Sequence, residues 1–359
     1  MKSLLPASRL PSFRARLLKW FRRHKRDMPW RGGRDAYRIW VAEVMLQQTR
    51  IAAVLPYYRR FLRRFPSVRA LARAREAGVL QSWSGLGYYS RARNLRQAAR
   101  QIVANHHGKF PQSLNAALAL PGIGRYTAAA VLSIAYEAPL AVLDGNVARV
   151  LARLGAVRGD LRRPKRWQEL ADAAQSMLAE DAPGDWNQAL MELGETVCMP
   201  KSPRCDECPV ASYCRARRDG LTEEIPEPRK KPAPVEMTVA AAVLSDPQGR
   251  TLLVKDPGAH DHVLFSRMWQ FPAVQVNADA REELAGLLRN TLGLGSVHLE
   301  ELRAARHGVT FRNITLLPFL ARVNSLPKIA RARAVPLERL GGLPVSSATL
   351  KIASAALTR

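Results

Sequence analysis

Residues 120–137 read Leu120-Pro121-Gly122-Ile123-Gly124-Arg125-Tyr126-Thr127-Ala128-Ala129-Ala130-Val131-Leu132-Ser133-Ile134-Ala135-Tyr136-Glu137, and their punctuation decides the fold. Pro121 and two glycines break one helix, and a helical pattern reopens at Arg125. Gly122 and Gly124 let the backbone approach a ligand closely and adopt positive φ. The amides at the N-terminus of the predicted helix 125–136 then point outward, a natural place for a phosphate. Taken alone the pattern is a common helix–helix turn. About twenty residues on, Asp144-Gly145-Asn146-Val147 opens another helix, with Asp144 an N-cap by residue type.

Outward from the hairpin, the helical pattern extends over about residues 10–197. Apolar residues recur at spacings of three and four, as in Val131–Ala135 and Trp186–Met191, and strand-like runs are absent. Phe13–Phe21 reads as the first amphipathic helix. Residues 216–236 are charged and hold Pro226, Pro228, Pro232 and Pro234, the composition of a stiff, extended linker. Beyond it, Thr238–Leu244 and Thr251–Lys255 flank a turn as a β-hairpin, Arg281–Leu292 reads as a helix and Ile314–Val323 as a strand. The expected division is therefore an all-α domain over 1–215, a linker over 216–236 and an α+β domain over 237–359.

Charge narrows the class of partner. The chain carries 56 Lys+Arg against 30 Asp+Glu, a net of +26. Residues 1–215 hold 36 of the basic and 16 of the acidic residues, so the excess sits in the helical part, as a polyanion-binding surface requires. No apolar run approaches the roughly 18–20 residues of a membrane span. No secretory signal pattern opens the chain, and the basic residues 1–26 are read as helix rather than as an organellar transit peptide.

The four cysteines follow the spacing Cys198-x6-Cys205-x2-Cys208-x5-Cys214. Zinc with four cysteines usually shows two close pairs around a longer insert. Single steps around one proline-stiffened loop fit a cuboidal iron–sulfur cluster better, with zinc and free or disulfide cysteines as the alternatives. Lys201, Arg204, Arg215, Arg217 and Arg218 nearby could meet phosphates. A second unusual feature is Glu43, a lone acid within Ile39-Trp40-Val41-Ala42-Glu43-Val44-Met45-Leu46. Glutamate is almost never buried unpaired. It is either satisfied by a buried arginine or raised in pKa by desolvation, and so able to act as an acid near neutrality.

Together these pieces resemble the endonuclease III superfamily of helix-hairpin-helix DNA glycosylases, and most closely its adenine DNA glycosylases, the MutY family. The resemblance rests on Pro29-Trp30-Arg31, Leu46-Gln47-Gln48-Thr49-Arg50, Gly85–Leu95, the hairpin 120–124, Asp144–Val147 and the four cysteines, covering about residues 12–215. It implies a 4Fe–4S cluster on Cys198, Cys205, Cys208 and Cys214. It further implies hydrolysis of the glycosidic bond of an adenine flipped out of duplex DNA opposite guanine or 8-oxoguanine. Glu43 would protonate the base and help activate water, and Asp144, kept ionised by the helix N-terminus, would stabilise the oxocarbenium. Trp30, Arg31, Leu46 and Gln188 would line the adenine pocket. Gln48 and Tyr88 would enter the base stack, and Tyr126 and Asn146 would support the sugar and Asp144. Members that attack the sugar with an amine carry lysine at the position of Tyr126, so the resemblance implies an essentially monofunctional enzyme.

Met268-Trp269-Gln270-Phe271-Pro272 followed by Arg281–Gly293 is similar to a Nudix layout, but Leu288–Gly293 lacks the metal-binding glutamates. The resemblance thus implies a Nudix-like recognition domain without hydrolase activity. Its lesion-reading loop aligns with His307-Gly308-Val309-Thr310-Phe311, where the family typically has His-x-Phe-Ser/Thr-His. The implied protein is a cytoplasmic monomer, on the nucleoid when bound to DNA. An endonuclease III-like enzyme on oxidised pyrimidines and a non-catalytic lesion-binding protein are the alternatives.

Overall fold

The computed structural model describes residues 4–227, 233–255, 268–309 and 311–358. The chain divides into two compact units, one of Met1–Arg73 with Asn94–Lys230 and one of Ala74–Arg93 with Lys231–Arg359. In chain order the helices are α1 (Leu10–His24), α2 (Ala36–Leu46), α3 (Ile51–Arg64), α4 (Val68–Arg73), α5 (Glu76–Trp83) and α6 (Ser90–Asn105). There follow α7 (Leu114–Leu118), α8 (Arg125–Tyr136), α9 (Gly145–Gly155), α10 (Pro164–Ser176), α11 (Pro183–Thr196) and α12 (Arg215–Arg218).

The first unit is helical, as the periodicity predicts. Phe13, Leu17 and Phe21 recur at helical spacing on α1 and are buried with Trp186, Leu190 and Leu193 of α11. Full burial of such side chains contributes roughly 1.5–3 kcal/mol each. On α2, nine of the eleven residues are buried, so Glu43 is carried into the interior by a helix enclosed on nearly all sides. Asp35 starts that helix by accepting from the amides of Tyr37 and Arg38.

At the hairpin only one glycine is needed for its backbone. Gly122 has φ 75°, and a Cβ there would fall 2.7 Å from that of Asn94. Gly124 instead takes φ −92° as the N-cap of α8, in open space. The expectation of positive φ at both glycines is corrected to one, because the N-cap position calls for extended backbone.

The expected division differs from the observed one at two places. Ala216 and Ile225 are buried in the first unit's core, and Arg153 donates to the Ile225 carbonyl at 2.7 Å, so the anticipated linker is anchored to that unit at these two residues. Burial of those apolar residues outweighs the extended bias of the prolines around them. Residues 74–93, expected in the helical domain, belong to the second unit. There Ser84 Oγ donates to the Val345 carbonyl at 2.6 Å, and Gln81 donates to that of Gly342 at 2.7 Å.

The second unit continues as β1 (Val235–Ser245), β2 (Arg250–Lys255), β3 (Trp269–Gln270), β4 (Ala273–Gln275), α13 (Ala280–Leu292), β5 (Glu300–Glu301), β6 (Ala305–Val309), β7 (Arg312–Arg322), β8 (Ala332–Pro336) and α14 (Ser347–Leu357). The sheet runs β3-β2-β1-β7-β5, with β4 on β1, β6 on β7 and β8 on β2. β1 and β7 pair in parallel over their full length. The alternation of β1 is covered on both faces. Ala241 and Val243 pack with Ile352 of α14, and Ala240, Ala242 and Leu244 with Leu284 and Leu288 of α13. This is the predicted α+β architecture. The acids Glu282 and Glu283 of α13 lie in its first turn, where Glu283 accepts from the amides of Asn277 and Ala278.

Candidate active site

A cavity of about 420 Å³ in the first unit gathers residues that the sequence scatters over α2, α8, α9 and α11. Glu43, Tyr126, Asp144 and Asn146 line it, and so do Trp30, Arg31, Leu46, Gln48 and Gln188. Trp30 is held edge-on against Tyr58, with ring centroids 5.1 Å apart. The remaining residues singled out from the sequence stand elsewhere. Gly122 and Gly124 form the hairpin, and Tyr88 lies in the second unit, 41% exposed. His307 is buried in β6, Val309 and Arg312 pair across the hairpin, and Phe311 is 48% exposed beside its tip. Thr310 lies outside the described residues. Gln48 and Tyr88, both assigned to the base stack, hold left-handed φ values of 57° and 48°. That conformation costs a side chain roughly 1–2 kcal/mol.

The partner of Glu43 is a phenol rather than the arginine considered from sequence. Tyr126 donates from its hydroxyl to Glu43 Oε2 at 2.8 Å, and Met191 Sδ stands 3.2 Å from the same hydroxyl. Burial pushes the Glu43 carboxyl up to about 7, with Asp144 adding to the rise, while the Tyr126 bond and Arg31 oppose it. Burial and the neighbouring carboxylates hold Tyr126 far above its ordinary value, so it stays a donor. Glu43 is therefore a carboxyl that exchanges a proton near neutrality inside a closed wall, the property a general acid needs.

Asp144 caps α9, accepting from the Val147 amide at 2.7 Å. Burial raises its carboxyl, and the Val147 and Asn146 amides and then Arg149 pull it back, with burial the larger. The helix N-terminus thus moderates a rise rather than lowering the pKa outright. One turn along, Arg149 donates to Asn146 Oδ1 at 2.9 Å, to the Gly194 carbonyl at 2.8 Å and to the Cys198 carbonyl at 2.9 Å. A further turn on, Arg153 donates to Cys198 Sγ at 3.3 Å and to the Met199 carbonyl at 2.6 Å. α9 therefore begins at the cavity and ends at the cysteine loop.

Residues 41–175 match the HhH-GPD superfamily of base excision DNA repair proteins, and residues 198–214 match the iron–sulfur binding domain of endonuclease III. The adenine DNA glycosylase of Homo sapiens is 35% identical over 362 residues, a match that covers 85% of this chain and 65% of that protein. The adenine DNA glycosylase of Mus musculus is 33% identical over 396 residues, covering 95% of this chain and 77% of that one. The chain belongs to the adenine DNA glycosylase family. A solved thermostable thymine-DNA glycosylase is also similar, at 26% identity and a TM-score of 0.54, over 59% of this chain and 98% of that one.

The cysteine loop of this adenine glycosylase family member fits a 4Fe–4S cluster. All four cysteines are free thiols in partly buried positions. Burial raises Cys208 to about 12, and Cys198 adds to the rise at Cys205, Cys208 and Cys214 alike. Burial thus favours the neutral thiol at these three positions, and a cationic centre bound there would favour the thiolate that ligates it. When bound, the cluster ties the loop into one cross-linked piece.

The sequence reading missed part of the site. Arg26, Glu192 and Glu195 are joined by ion pairs, with Glu192 and Glu195 lining the cavity. The signal was available for Glu192, since Leu190-Met191-Glu192-Leu193 sets an acid in an apolar run just as the stretch around Glu43 does. Among the described residues, no helix is long and apolar enough to cross a membrane.

Proposed function

We propose that this chain excises adenine from duplex DNA where it stands opposite guanine or 8-oxoguanine, acting as a hydrolase on the N-glycosidic bond. The single observation that carries the reading is the buried Glu43 carboxyl, bonded to Tyr126 in a cavity that also holds Asp144. Adenine leaves poorly as an anion, so the base must be protonated as the bond to the sugar breaks. Glu43, with a pKa of about 7, is protonated often enough at neutral pH to do this and is then left as a base for water. Asp144 supplies negative charge for the sugar cation, steadied by Asn146 and the start of α9. The base reaches the cavity by flipping out of the stack, with Trp30, Leu46 and Gln188 as its walls and Gln48 and Tyr88 assigned to the gap it leaves. The amides of the 120–124 hairpin take a backbone phosphate. Tyr126 replaces an amine nucleophile, which makes water the attacking group and strand cleavage a minor activity. A single copy suffices, because every residue named for the chemistry comes from one unit of one chain. The β6–β7 hairpin tip is assigned to the base opposite the adenine.

The test uses single-turnover reactions on duplexes with A opposite G, A opposite 8-oxoguanine, and thymine glycol. Release of adenine from the first two, with strand breaks only after added base, is the expected result. Cleavage of thymine glycol with efficient borohydride trapping would replace this reading by an oxidised-pyrimidine enzyme. Binding without release of any base would leave a recognition protein.

A further inference from the structure

In the cavity wall, one carboxylate holds two arginines. Glu192, on α11, is 2% exposed. Its Oε1 accepts from Arg26 Nε at 2.6 Å and from the Arg26 amide at 3.2 Å. Its Oε2 accepts from Arg26 Nη2 at 2.8 Å and from Arg31 Nη2 at 2.8 Å. Arg31 Nη1 donates to the Arg26 carbonyl at 3.1 Å, which fixes the second arm of the guanidinium. Glu195, one turn further along α11, takes the remaining Arg26 contact.

We propose that Glu192 is the positioning residue of the base pocket. Its buried carboxylate holds Arg31 in the cavity wall and offsets much of the arginine's charge, so that Arg31 pulls on Glu43 less than an unpartnered guanidinium would. The inference rests on the reading of the cavity as the adenine pocket and of Glu43 as its acid.

The argument is one of competing charges. A buried guanidinium that loses its partner is costly and seeks another carboxylate. The groups facing Glu43 are Tyr126 on α8, Asp144 at the start of α9, Arg31, and Glu195 on α11. Of these only Arg31 is a cation, and it already pulls the Glu43 carboxyl down. Glu192 is held down to about 2 chiefly by its hydrogen bonds to Arg26 and Arg31 against the upward push of burial, so it is charged throughout the working range and donates no proton itself. Its removal would turn Arg31 toward Glu43 and favour the ionised form of the acid. Because Glu43 acts protonated, activity falls as pH rises through its pKa. A lower pKa moves that falling limb to lower pH.

The experiment measures the pH dependence of single-turnover adenine release by the full, iron-loaded chain, with duplex affinity and thermal unfolding alongside. Glu192→Gln is expected to move the alkaline limb down by roughly one unit, the lower end of what an adjacent opposite charge does to a carboxyl. Duplex affinity should change less than about threefold, since Glu192 is buried and both its oxygens are taken by Arg26 and Arg31. Glu192→Asp keeps the charge but draws the anchor back by one methylene. It should leave the limb in place while slowing the plateau rate about tenfold through misplacement of Arg31. Glu192→Gln combined with Arg31→Gln should return the limb toward that of the parent. A Glu192→Gln limb that superimposes on the parent's would overturn the proposal, as would a limb that moves equally in Glu192→Asp. If Glu192→Gln does not fold, the Glu192→Asp and Arg31→Gln profiles decide, and a limb unmoved by Arg31→Gln overturns it. A parent enzyme indifferent to Glu43→Gln would instead overturn the pocket reading.

Discussion

Buried charged side chains in the two units reach over different distances along the chain. In the first unit, Glu43 finds Tyr126 83 residues away, Arg153 finds Ile225 72 residues away and Arg26 finds Glu192 166 residues away. In the second, buried Asp246 accepts from the amides of Gln248 and Arg250, two and four residues on, and buried Arg91 donates to the carbonyls of Leu86 and Gly87, five and four residues back. Local bonds close turns and start helices, and any chain with the right residues can form them. Long-range buried bonds exist only once the tertiary structure exists, and each unmet member is penalised by its desolvation. The first unit therefore holds charge in places only the finished fold can support, which is what acid chemistry demands. The second uses its polar residues to shape a sheet.

The most demanding way to break that contrast is Glu43→Gln. If the buried acid serves chemistry at the expense of stability, the amide should lower adenine release by at least about 10²-fold while duplex binding stays near the parent's. The same change should stabilise the fold in alkaline solution. The folded pKa of Glu43 lies above its unfolded value, so the native state binds the extra proton and stability declines as pH rises from about 4.5 through about 7. At pH 8 the Gln variant should unfold on the order of 1–3 kcal/mol later than the parent, read from denaturant midpoints. Retained activity, or equal loss of activity and stability, would make Glu43 a structural residue.

A second test addresses another buried charge of the first unit, Arg153. Arg153→Met leaves the carbonyls of Met199, Pro200 and Ile225 and the Cys198 sulfur without their donor. It should cost roughly 3–5 kcal/mol of stability and lower iron content from the parent's about four atoms per chain. An iron count and melting curve that match the parent's would mean the loop is held by the cluster alone.

The smallest effect belongs to the second unit. Val309→Phe with Phe311→His alters the hairpin tip without disturbing the β6–β7 pairing, because Val309 and Arg312 stay in register. The double change should raise the preference for A opposite 8-oxoguanine over A opposite G by about 1 kcal/mol, or roughly fivefold, as one added base contact does. No change in the ratio of single-turnover rates would place lesion reading elsewhere.

The sequence was legible where spacing is local. The hairpin with its helix 125–136, the Asp144 cap, the strand pair at 238–255 and the helix near 281–292 all follow from residues a few positions apart. Glu43 stood out because an acid in an apolar run is an anomaly on any helix. Its phenolic partner did not, since nothing near Ala42 or Val44 announces Tyr126. The cage of Arg26, Arg31 and Glu192 was missed for the same reason, being an arrangement of charges from α11 and the loop after α1. Proline and charge set the boundary within 216–236, and the division after Lys230 falls there, but they suggest an extended segment where Ala216 and Ile225 find apolar cover.

The attachment of residues 74–93 to the second unit matters for how the protein is made. Ser84 Oγ and the Tyr89 hydroxyl both donate to the carbonyl of Val345, up to 261 residues further along the chain. At roughly 5–20 residues per second, a ribosome delivers that carbonyl tens of seconds after the serine has emerged. Throughout that interval both hydroxyls wait without the acceptor that holds them in the finished protein. A nascent chain halted near residue 227 would leave Ser84 and Tyr89 without that acceptor. Gene truncations that keep only the helical part inherit the same unmet bonds.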